Sequence, residues 1–317
     1  MTDPPRVVLH PDRPPGVQDA VLDLAARGVV DLVDATSDAD TAAALQVSGS
    51  VLVSYRWRPE FLTDGLSWIQ TLGVGVDQFP RRELAGRGVT LCNAQGVMAG
   101  CVAEHAIALL LSMTRRLLDS RDDQRAHTWT PRTGAELSQL TLGVVGLGAI
   151  GRQVAVRAGA FGMTVLGLRR TPGPVAGVDE VMGPDRIDEL CDRSNALVIC
   201  LPGGDATRGL LGGEQLRRLG DGWLVNVGRG GTVDETALVD ALHRGSLRGA
   251  ALDVVDGEPL SARSPLWDTP RLLLTGHSAA LSPRWGADWA TLFTRNIAAA
   301  TGGGPWASVV PWEPPET

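Results

Sequence analysis

Short apolar runs recur along this chain and alternate with longer stretches of helical character. Parallel sheets with helical crossovers give this alternation, because their strands are buried on both faces and carry few polar residues. The apolar runs predict strands over Val7–His10, Val29–Val33, Ser50–Ser54, Trp68–Leu72, Thr141–Val145, Met163–Leu168, Ala196–Leu201, Trp223–Val227, Gly249–Asp253 and Leu272–Thr275. The helical stretches predict helices over Val102–Thr114, Arg152–Ala160 and about Pro283–Ala300. The pattern is therefore that of an α/β protein.

A glycine-rich turn follows one of these predicted strands. The segment from Thr141 to Arg152 contains Gly146-x-Gly148-x-x-Gly151 and then continues as a helix. In a dinucleotide site the first glycine makes the tight turn, the second lets backbone approach a pyrophosphate, and the third packs the helix on the sheet. The pyrophosphate would lie at the helix N-terminus, at Ala149 and Ile150. Glycines at this spacing also occur in unrelated turns, but the strand–helix–strand frame favours a dinucleotide site.

The end of the next predicted strand indicates which dinucleotide binds. A carboxylate there would hydrogen-bond the ribose 2′-hydroxyl of NAD, whereas arginine accommodates the 2′-phosphate of NADP. The chain has Arg169-Arg170-Thr171 at this place, and guanidinium groups form forked hydrogen bonds with phosphate. The alternative is a pair of solvated surface arginines. We expect NADP(H) as the preferred cofactor, with NAD(H) as the alternative.

Composition narrows the class of protein. A length of 317 residues suits about two domains, and a net charge of −7 with an isoelectric point near 5.3 argues against nucleic acid as a partner. The four cysteines form no C-x-x-C, which favours free thiols over disulfides or a metal site. No apolar span of membrane length and no N-terminal signal segment is present in the sequence. We therefore expect a cytoplasmic protein with no membrane partner and no metal.

Six segments, in order and spacing, resemble the D-isomer-specific 2-hydroxyacid dehydrogenase family. They are Leu72-Gly-Val-Gly-Val-Asp77, Asn93-Ala-Gln-Gly-Val97 with Ala103-Glu-His105, the glycine-rich turn, Val225-Asn-Val-Gly-Arg-Gly-Gly231, Ala251-Leu-Asp-Val-Val-Asp-Gly-Glu-Pro-Leu260 and Leu274-Thr-Gly-His277. The resemblance implies two doubly wound, Rossmann-like lobes with the active site in the cleft between them. Residues 1–93 plus 281–317 would form the substrate domain, and residues 94–280 the dinucleotide-binding domain.

Three residues match the family's catalytic positions: Arg229, Glu258 and His277. Reduction of a 2-oxo acid needs a proton donor, and histidine changes charge near neutral pH, so His277 suits this role. Glu258 would bind the other ring nitrogen and favour the imidazolium form. Arg229 can bind both the carboxylate and the carbonyl oxygen, where charge accumulates in the transition state. Taken singly, each has a structural alternative: a turn residue, a loop charge and a polar residue at a strand end.

The resemblance also implies binding positions. Backbone N–H groups of Gly73-Val74-Gly75 would hold the substrate carboxylate as an anion-binding nest, and Asp253 would meet the nicotinamide carboxamide. The remaining expected cofactor contacts are Leu201, Pro202, Thr207, Val227, Gly228, His277 and Ala279. Tyr55 comes just after a predicted strand, and we expect its side chain to form part of the wall of the substrate pocket. Arg56 or Arg58 beside it could pair with a second acidic group, which favours compact or acidic 2-oxo acids, although such arginines are often solvated.

Two positions depart from the family pattern. Gly276 stands where proline usually precedes the catalytic histidine, and Gly203-Gly204 follows Pro202 where larger residues are common. Both should loosen loops near the cofactor. His105 and His127 are expected to be non-catalytic, and the helix with His105 and the arm with Trp129 are expected to pack across a homodimer two-fold axis.

The sequence thus predicts an NADP-preferring oxidoreductase that reduces a 2-oxo acid to the D-2-hydroxy acid, of the glyoxylate/hydroxypyruvate reductase type. Fold alone does not secure catalysis. A dinucleotide-sensing scaffold and a phosphite-oxidising relative are the alternatives. The sequence leaves open which 2-oxo acid is the physiological substrate and in which direction the reaction runs.

Overall fold

The computed structural model describes residues 3–311 and divides into two compact units, each built on its own parallel sheet. The first unit comprises the chain up to Met98 together with the part from Ser282 onward, and the second comprises Ala99–Leu281. The sequence predicted domain boundaries after residue 93 and after residue 280, whereas these units change after Met98 and after Leu281. The α/β fold with parallel sheets is confirmed.

The N-terminal part of the first unit alternates strands and helices. Its elements are β1 (Arg6–Leu9), α1 (Pro15–Ala26), β2 (Asp31–Asp34), α2 (Asp38–Ala44), β3 (Ser50–Ser54), β4 (Leu66–Thr71), α3 (Arg81–Gly86) and β5 (Thr90–Cys92). The five strands pair in parallel in the order β2-β1-β3-β4-β5. The order reverses direction beside β1 and β3, and open α/β sheets bind ligands at the carboxyl ends of strands at such a point.

The second unit continues the alternation on a larger sheet. Its elements are α4 (Ala99–Thr114), α5 (Leu117–Arg125), β6 (Thr141–Val145), α6 (Ala149–Ala160), β7 (Thr164–Leu168), β8 (Glu180–Met182), α7 (Ile187–Arg193), β9 (Ala196–Ile199), α8 (Gly213–Leu219), β10 (Trp223–Asn226), α9 (Glu235–Arg244), β11 (Gly249–Leu252) and β12 (Leu272–Leu274). All seven strands are parallel, in the order β12-β11-β10-β9-β6-β7-β8. The central strands β6, β9 and β10 are almost fully buried, which explains their apolar sequences.

The last helix, α10 (Trp285–Ala300), belongs to the first unit. This helix crosses α1 where Gly286 meets Gly16. A Cβ on Gly286 would overlap the Gly16 backbone, so a larger residue there would keep the two helices further apart. Asn296 on its inner face donates a buried hydrogen bond of 2.8 Å to Gln70 Oε1 in β4. The C-terminal helix thus completes the core of the N-terminal sheet.

Within residues 3–311, no helix is both long and apolar enough to cross a membrane. The four cysteines are free thiols, two of them buried.

Candidate active site

The glycine-rich turn joins β6 to α6, and its three glycines have different reasons to be glycine. Gly146 has a φ of +101°, a left-handed region that favours glycine. A Cβ on Gly151 would overlap the Gly146 carbonyl oxygen, so helix and turn could not pack this closely. A Cβ on Gly148 would meet no atom within 4 Å, which leaves open space over the N-terminus of α6. Gly148 is also the N-cap and has no side chain to bind the free N–H groups, so the residues present fit a dinucleotide pyrophosphate.

The arginine pair lies directly beside this turn. Gly146 N and Leu147 N both donate to Leu168 O at 3.1 Å, and Leu168 is the last residue of β7. Arg169 follows it, half-buried, with its own N–H bound to Met182 O in β8 at 3.1 Å. Arg170 and Thr171 are exposed. The strand end that borders the dinucleotide turn therefore carries two cationic side chains and no carboxylate.

Asn226, at the end of β10, shapes the loop that carries Arg229. Its buried side chain accepts a hydrogen bond of 3.0 Å from Gly228 N and donates one of 2.9 Å to Arg229 O. Arg229 is half-buried and donates to Gly228 O at 2.8 Å. A Cβ on Gly203 would lie 3.2 Å from Arg229 Cγ, so the unusual glycine leaves room for the arginine stem. The departure at Gly203 therefore serves packing against Arg229.

The other expected cofactor positions lie in the adjoining loops. Leu201 and Pro202 follow β9, and Thr207 donates a hydrogen bond of 2.9 Å to Pro202 O, which closes that loop on itself. Val227 and Gly228 are buried, and a Cβ on Gly228 would lie 2.7 Å from Leu201 O. The two loops are thus in tight backbone contact at this end of the sheet.

His277 and Glu258 form a close pair. His277 Nδ1 lies 2.5 Å from Glu258 Oε2, and Glu258 Oε1 accepts a hydrogen bond of 3.1 Å from Val255 N. The histidine side chain is 51% exposed and the glutamate 33% exposed. Because Nδ1 is occupied by the carboxylate, Nε2 is the ring nitrogen left to exchange a proton with a substrate. The arrangement suits a general acid held by a carboxylate.

A cavity of about 570 Å³ lies beside this pair. Its walls combine three ionisable residues, Asp253, Glu258 and His277, with Thr275 and with apolar side chains from the segment after β11 and the end of β12. The apolar members are Val255, Pro259, Leu260, Trp267 and Leu274. Gly276 is also in the wall, and a Cβ there would meet no atom within 4 Å, so this departure adds open space beside His277.

A second carboxylate holds the segment that carries Glu258, and sequence reasoning missed it. Glu235 Oε1, at the start of α9, accepts a hydrogen bond of 2.6 Å from Asp256 N. Burial raises the pKa of Glu235. Glutamate is favourable in the first turn of any helix, so the sequence carried no signal for this contact.

In the first unit, Tyr55 packs on the predicted carboxylate site. A Cβ on Gly73 would lie 3.0 Å from the Tyr55 ring, and this contact accounts for that glycine. Asn93 Nδ2 donates to Val74 O at 2.9 Å, which holds the Gly73–Gly75 segment in place. Neither Gly73 nor Gly75 is among the glycines of residues 3–311 that have a positive φ angle. Burial raises the pKa of Tyr55 above its ordinary range.

The expectation for Arg56 and Arg58 needs correction. Arg56 Nε donates to Asp12 Oδ2, and Arg58 Nε donates to Asp38 Oδ2 at 2.8 Å. Both guanidinium groups therefore already have a carboxylate partner within the first unit. The argument that one of them pairs with a second acidic group on the substrate loses its support.

Among residues 3–311, no group of histidine, cysteine and acidic side chains is arranged to hold a metal ion.

The two histidines expected to be non-catalytic lie in different surroundings. His127 is exposed in the arm that follows α5, and Trp129 nearby is 98% exposed. His105 is half-buried on α4 and lies 3.1 Å from Thr275 Oγ1 through Nε2, a contact that the sequence did not predict.

The doubly wound fold with a dinucleotide turn and a histidine–carboxylate pair defines a class of nicotinamide-dependent oxidoreductases. The model of the NAD-binding domain of D-isomer specific 2-hydroxyacid dehydrogenases matches residues 107–279. The chain belongs to this family.

Relatives that are similar to this chain are named for several different activities. Glyoxylate/hydroxypyruvate reductase B of Pectobacterium carotovorum is 34% identical over 240 residues, 74% of this chain and 75% of that protein. D-3-phosphoglycerate dehydrogenase of Mycobacterium leprae is 36% identical over 218 residues, 68% of this chain but 41% of that protein. The chain thus spans less than half the length of that longer relative.

Solved structures extend the similarity over most of the chain. An NADPH-dependent glyoxylate/hydroxypyruvate reductase from Sinorhizobium meliloti, in complex with NADP and malonate, is 30% identical. It matches with a TM-score of 0.81 over 96% of each chain. A second such reductase from the same organism, in complex with NADP and sulfate, matches at 26% identity with a TM-score of 0.83, over 96% of this chain and 98% of its own.

Proposed function

We propose that this protein reduces a 2-oxo acid to the D-2-hydroxy acid with NADPH. The observation that carries the proposal is the 2.5 Å pair of His277 and Glu258 in the unit that also holds the dinucleotide turn. Arg229, presented by the Asn226 loop, supplies the cation that a 2-oxo acid requires. The same three groups serve the reverse oxidation, in which His277 accepts the proton.

The three residues have different tasks in the reaction. When bound, the nicotinamide would supply the hydride for the new C–H bond at the substrate's carbonyl carbon. His277 donates its Nε2 proton to the carbonyl oxygen, so that a hydroxyl forms and a neutral imidazole is left. Glu258 holds Nδ1 and stabilises the positively charged ring before transfer. Arg229 binds the carboxylate and offsets the negative charge that builds on the oxygen.

The preference for NADPH rests on Arg169 and Arg170. They stand where a carboxylate would select NAD, directly beside the glycine turn. The Sinorhizobium meliloti reductases, both described as NADPH-dependent, were solved with NADP.

The substrate we infer is a small 2-oxo acid with no second charge. Phosphorylated or dicarboxylic substrates need a further cation, and Arg56 and Arg58 in the first unit are each engaged by an aspartate. This favours substrates of the glyoxylate and hydroxypyruvate kind over 3-phosphohydroxypyruvate or oxaloacetate.

A panel of 2-oxo acids assayed with NADPH and with NADH tests the function. We expect kcat/KM to be highest for glyoxylate or hydroxypyruvate with NADPH, and hydroxypyruvate to yield D-glycerate. The proposal is overturned if NADPH binds and no 2-oxo acid is turned over, which is the result expected of a dinucleotide-sensing scaffold. Oxidation of phosphite with no activity on 2-oxo acids would also overturn it.

The Arg169→Asp variant tests the cofactor preference. The new carboxylate would repel the 2′-phosphate and accept a hydrogen bond from the 2′-hydroxyl, so the ratio of kcat/KM for NADPH over NADH should fall by at least about tenfold. Arg295→Asp is the matched control, because it makes the same charge change at an exposed position of α10, in the other unit. A wild-type enzyme with equal kcat/KM for both cofactors, unchanged by Arg169→Asp, would contradict the assignment.

We also infer a homodimer built on α4, α5 and the arm that follows them. Trp129 is 98% exposed, and Leu117 and Leu118 on α5 are exposed as well. Large apolar side chains left exposed on one segment of a chain are a feature of interfaces between protein chains.

A further inference from the structure

The segment that carries His277 is wound around the buried side chain of Asp253. Oδ1 of this carboxylate accepts hydrogen bonds from Thr275 Oγ1 at 2.6 Å and Ser278 N at 3.0 Å, and Oδ2 accepts one from Ala279 N at 3.0 Å. The backbone of Asp253 adds another, since its carbonyl accepts from His277 N at 2.8 Å. Residues on both sides of His277 are thus tied to one aspartate whose side chain is 1% exposed.

These hydrogen bonds also fix the backbone conformation of His277. His277 has a φ of +49°, the left-handed region that residues other than glycine seldom adopt. The conformation lets the two following N–H groups converge on the Asp253 carboxylate, as in an anion-binding nest. Such a backbone persists only where its surroundings impose it. The hydrogen bonds to Asp253 therefore determine where the imidazole ring stands.

A third side chain enters this network from α4. His105 Nε2 lies 3.1 Å from Thr275 Oγ1 and 3.4 Å from Asp253 Oδ1. The Thr275 hydroxyl has a single proton, which it donates to Asp253, so it can only accept from His105. His105 therefore carries its proton on Nε2 and donates to the threonine. The order of donation runs from His105 to Thr275 to Asp253.

We propose that His105 and Thr275 are positioning residues for proton transfer by His277, an inference that rests on the proposed function. His105 fixes the Thr275 hydroxyl, Thr275 fixes the Asp253 carboxylate, and Asp253 fixes the backbone on which His277 stands. Thr275 lines the cavity beside His277, but the role proposed for both residues is exerted through Asp253 and not through the substrate. Their effect is exerted through the placement of the imidazole ring against Glu258 and the carbonyl oxygen.

The Thr275→Val variant removes the hydroxyl at almost constant volume. Loss of one such hydrogen bond should lower kcat about tenfold and leave KM for NADPH and the 2-oxo acid within about twofold. Thr275→Ser restores the hydroxyl and should restore most of kcat. Thr269→Val is the matched control, because Thr269 is a buried threonine of the same unit whose hydroxyl donates to Pro265 O, outside the network around Asp253. An equal loss of kcat in Thr275→Val and Thr269→Val would overturn the proposal.

His105 is tested by a donor and a non-donor replacement. His105→Leu should lower kcat, whereas His105→Gln, whose amide reaches to the same depth and still donates, should retain most of it. In the His105→Leu/Thr275→Val double variant, kcat should fall little further than in Thr275→Val alone, because both changes break one chain of hydrogen bonds. Fully multiplicative losses would show that the two residues act separately, contrary to the proposal.

Amide hydrogen exchange gives a readout that does not depend on turnover. In the free protein, Thr275→Val should raise the exchange rates of the Ser278 and Ala279 amides at least about tenfold, while the Thr269→Val control leaves them unchanged. Unchanged rates would overturn the positioning role even if kcat fell. Faster exchange in a protein that turns over no 2-oxo acid would instead refute the proposed function and leave the hydrogen-bonded network standing.

Discussion

At the scale of single residues, Glu258 gives the two ring nitrogens of His277 different roles. Nδ1 is bound by the carboxylate at 2.5 Å, and the half-exposed ring presents its other side for chemistry. Glu258 is itself held by Val255 N, and the neighbouring Asp256 N by Glu235. The proton donor is therefore positioned from two directions, by the segment after β11 and by the backbone wound around Asp253.

The Glu258→Gln variant tests the electrostatic part of this arrangement. An amide can still accept the Nδ1–H hydrogen bond but carries no charge to stabilise the imidazolium form. Loss of this charge should lower kcat for reduction at least about tenfold, while the Kd for NADPH stays within about twofold. Both quantities are measured on the variant and on the wild type under the same conditions.

Glu235→Gln is the matched control, because its amide oxygen can still accept from Asp256 N and the residue does not contact His277 among residues 3–311. A Glu258→Gln enzyme with the kcat of the wild type would show that the carboxylate does not support the charged ring.

Sequence reasoning reached some of these residues and not others. The match to family motifs singled out Glu258 and His277, and the structure places them in contact. The link from His105 to Thr275 joins positions 170 residues apart, and no local pattern marks such a pair. Sequence treated His105 as a residue of an apolar helix, whereas its hydrogen bond to Thr275 brings it into the network around His277.

At the scale of elements, the turn between β6 and α6 combines a packing requirement with a binding requirement. Gly151 is needed because helix and turn touch there, and Gly148 leaves open space at the helix N-terminus. The two requirements fall on different glycines, so they can be separated by substitution.

Gly151→Ala and Gly148→Ala form a matched pair. Gly151→Ala should destabilise the protein by about 1–3 kcal/mol, because the new methyl group overlaps backbone that cannot yield freely. Gly148→Ala should unfold at nearly the wild-type denaturant concentration yet raise the Kd for NADPH at least about tenfold, since its methyl group occupies the pyrophosphate position. Denaturant unfolding and cofactor titration measure the two effects. A Gly148→Ala protein that binds NADPH as the wild type does would place the pyrophosphate elsewhere.

The predicted strands show what hydrophobic pattern can and cannot resolve. Ser50–Ser54 matches β3, and most other predicted strands differ from the observed ones by one or two residues at their ends. The pattern missed β5 and β8, which have three residues each and lie at sheet edges. An edge strand this short has no distinct periodicity, and pairing with its neighbour is what makes it a strand.

At the scale of the whole molecule, the chain builds two units whose segments interleave in sequence. It leaves the first unit after Met98 and returns to it at Ser282, where α10 fills the core beside β4. The hydrophobic pattern predicted α10 but not where it packs. The α10 contact depends on buried partners such as Gln70 and Asn296, 226 positions apart, which are polar and carry no hydrophobic signal.

The central claim is that His277 donates the proton in an NADPH-dependent reduction, and His277→Ala tests it most directly. Reduction of the best 2-oxo acid and binding of NADPH should be measured in parallel on this variant and the wild type. The account predicts that kcat falls by roughly 10²–10⁴-fold, the usual contribution of a general acid, while the Kd for NADPH stays within about twofold. A His277→Ala enzyme with a kcat near that of the wild type would contradict it.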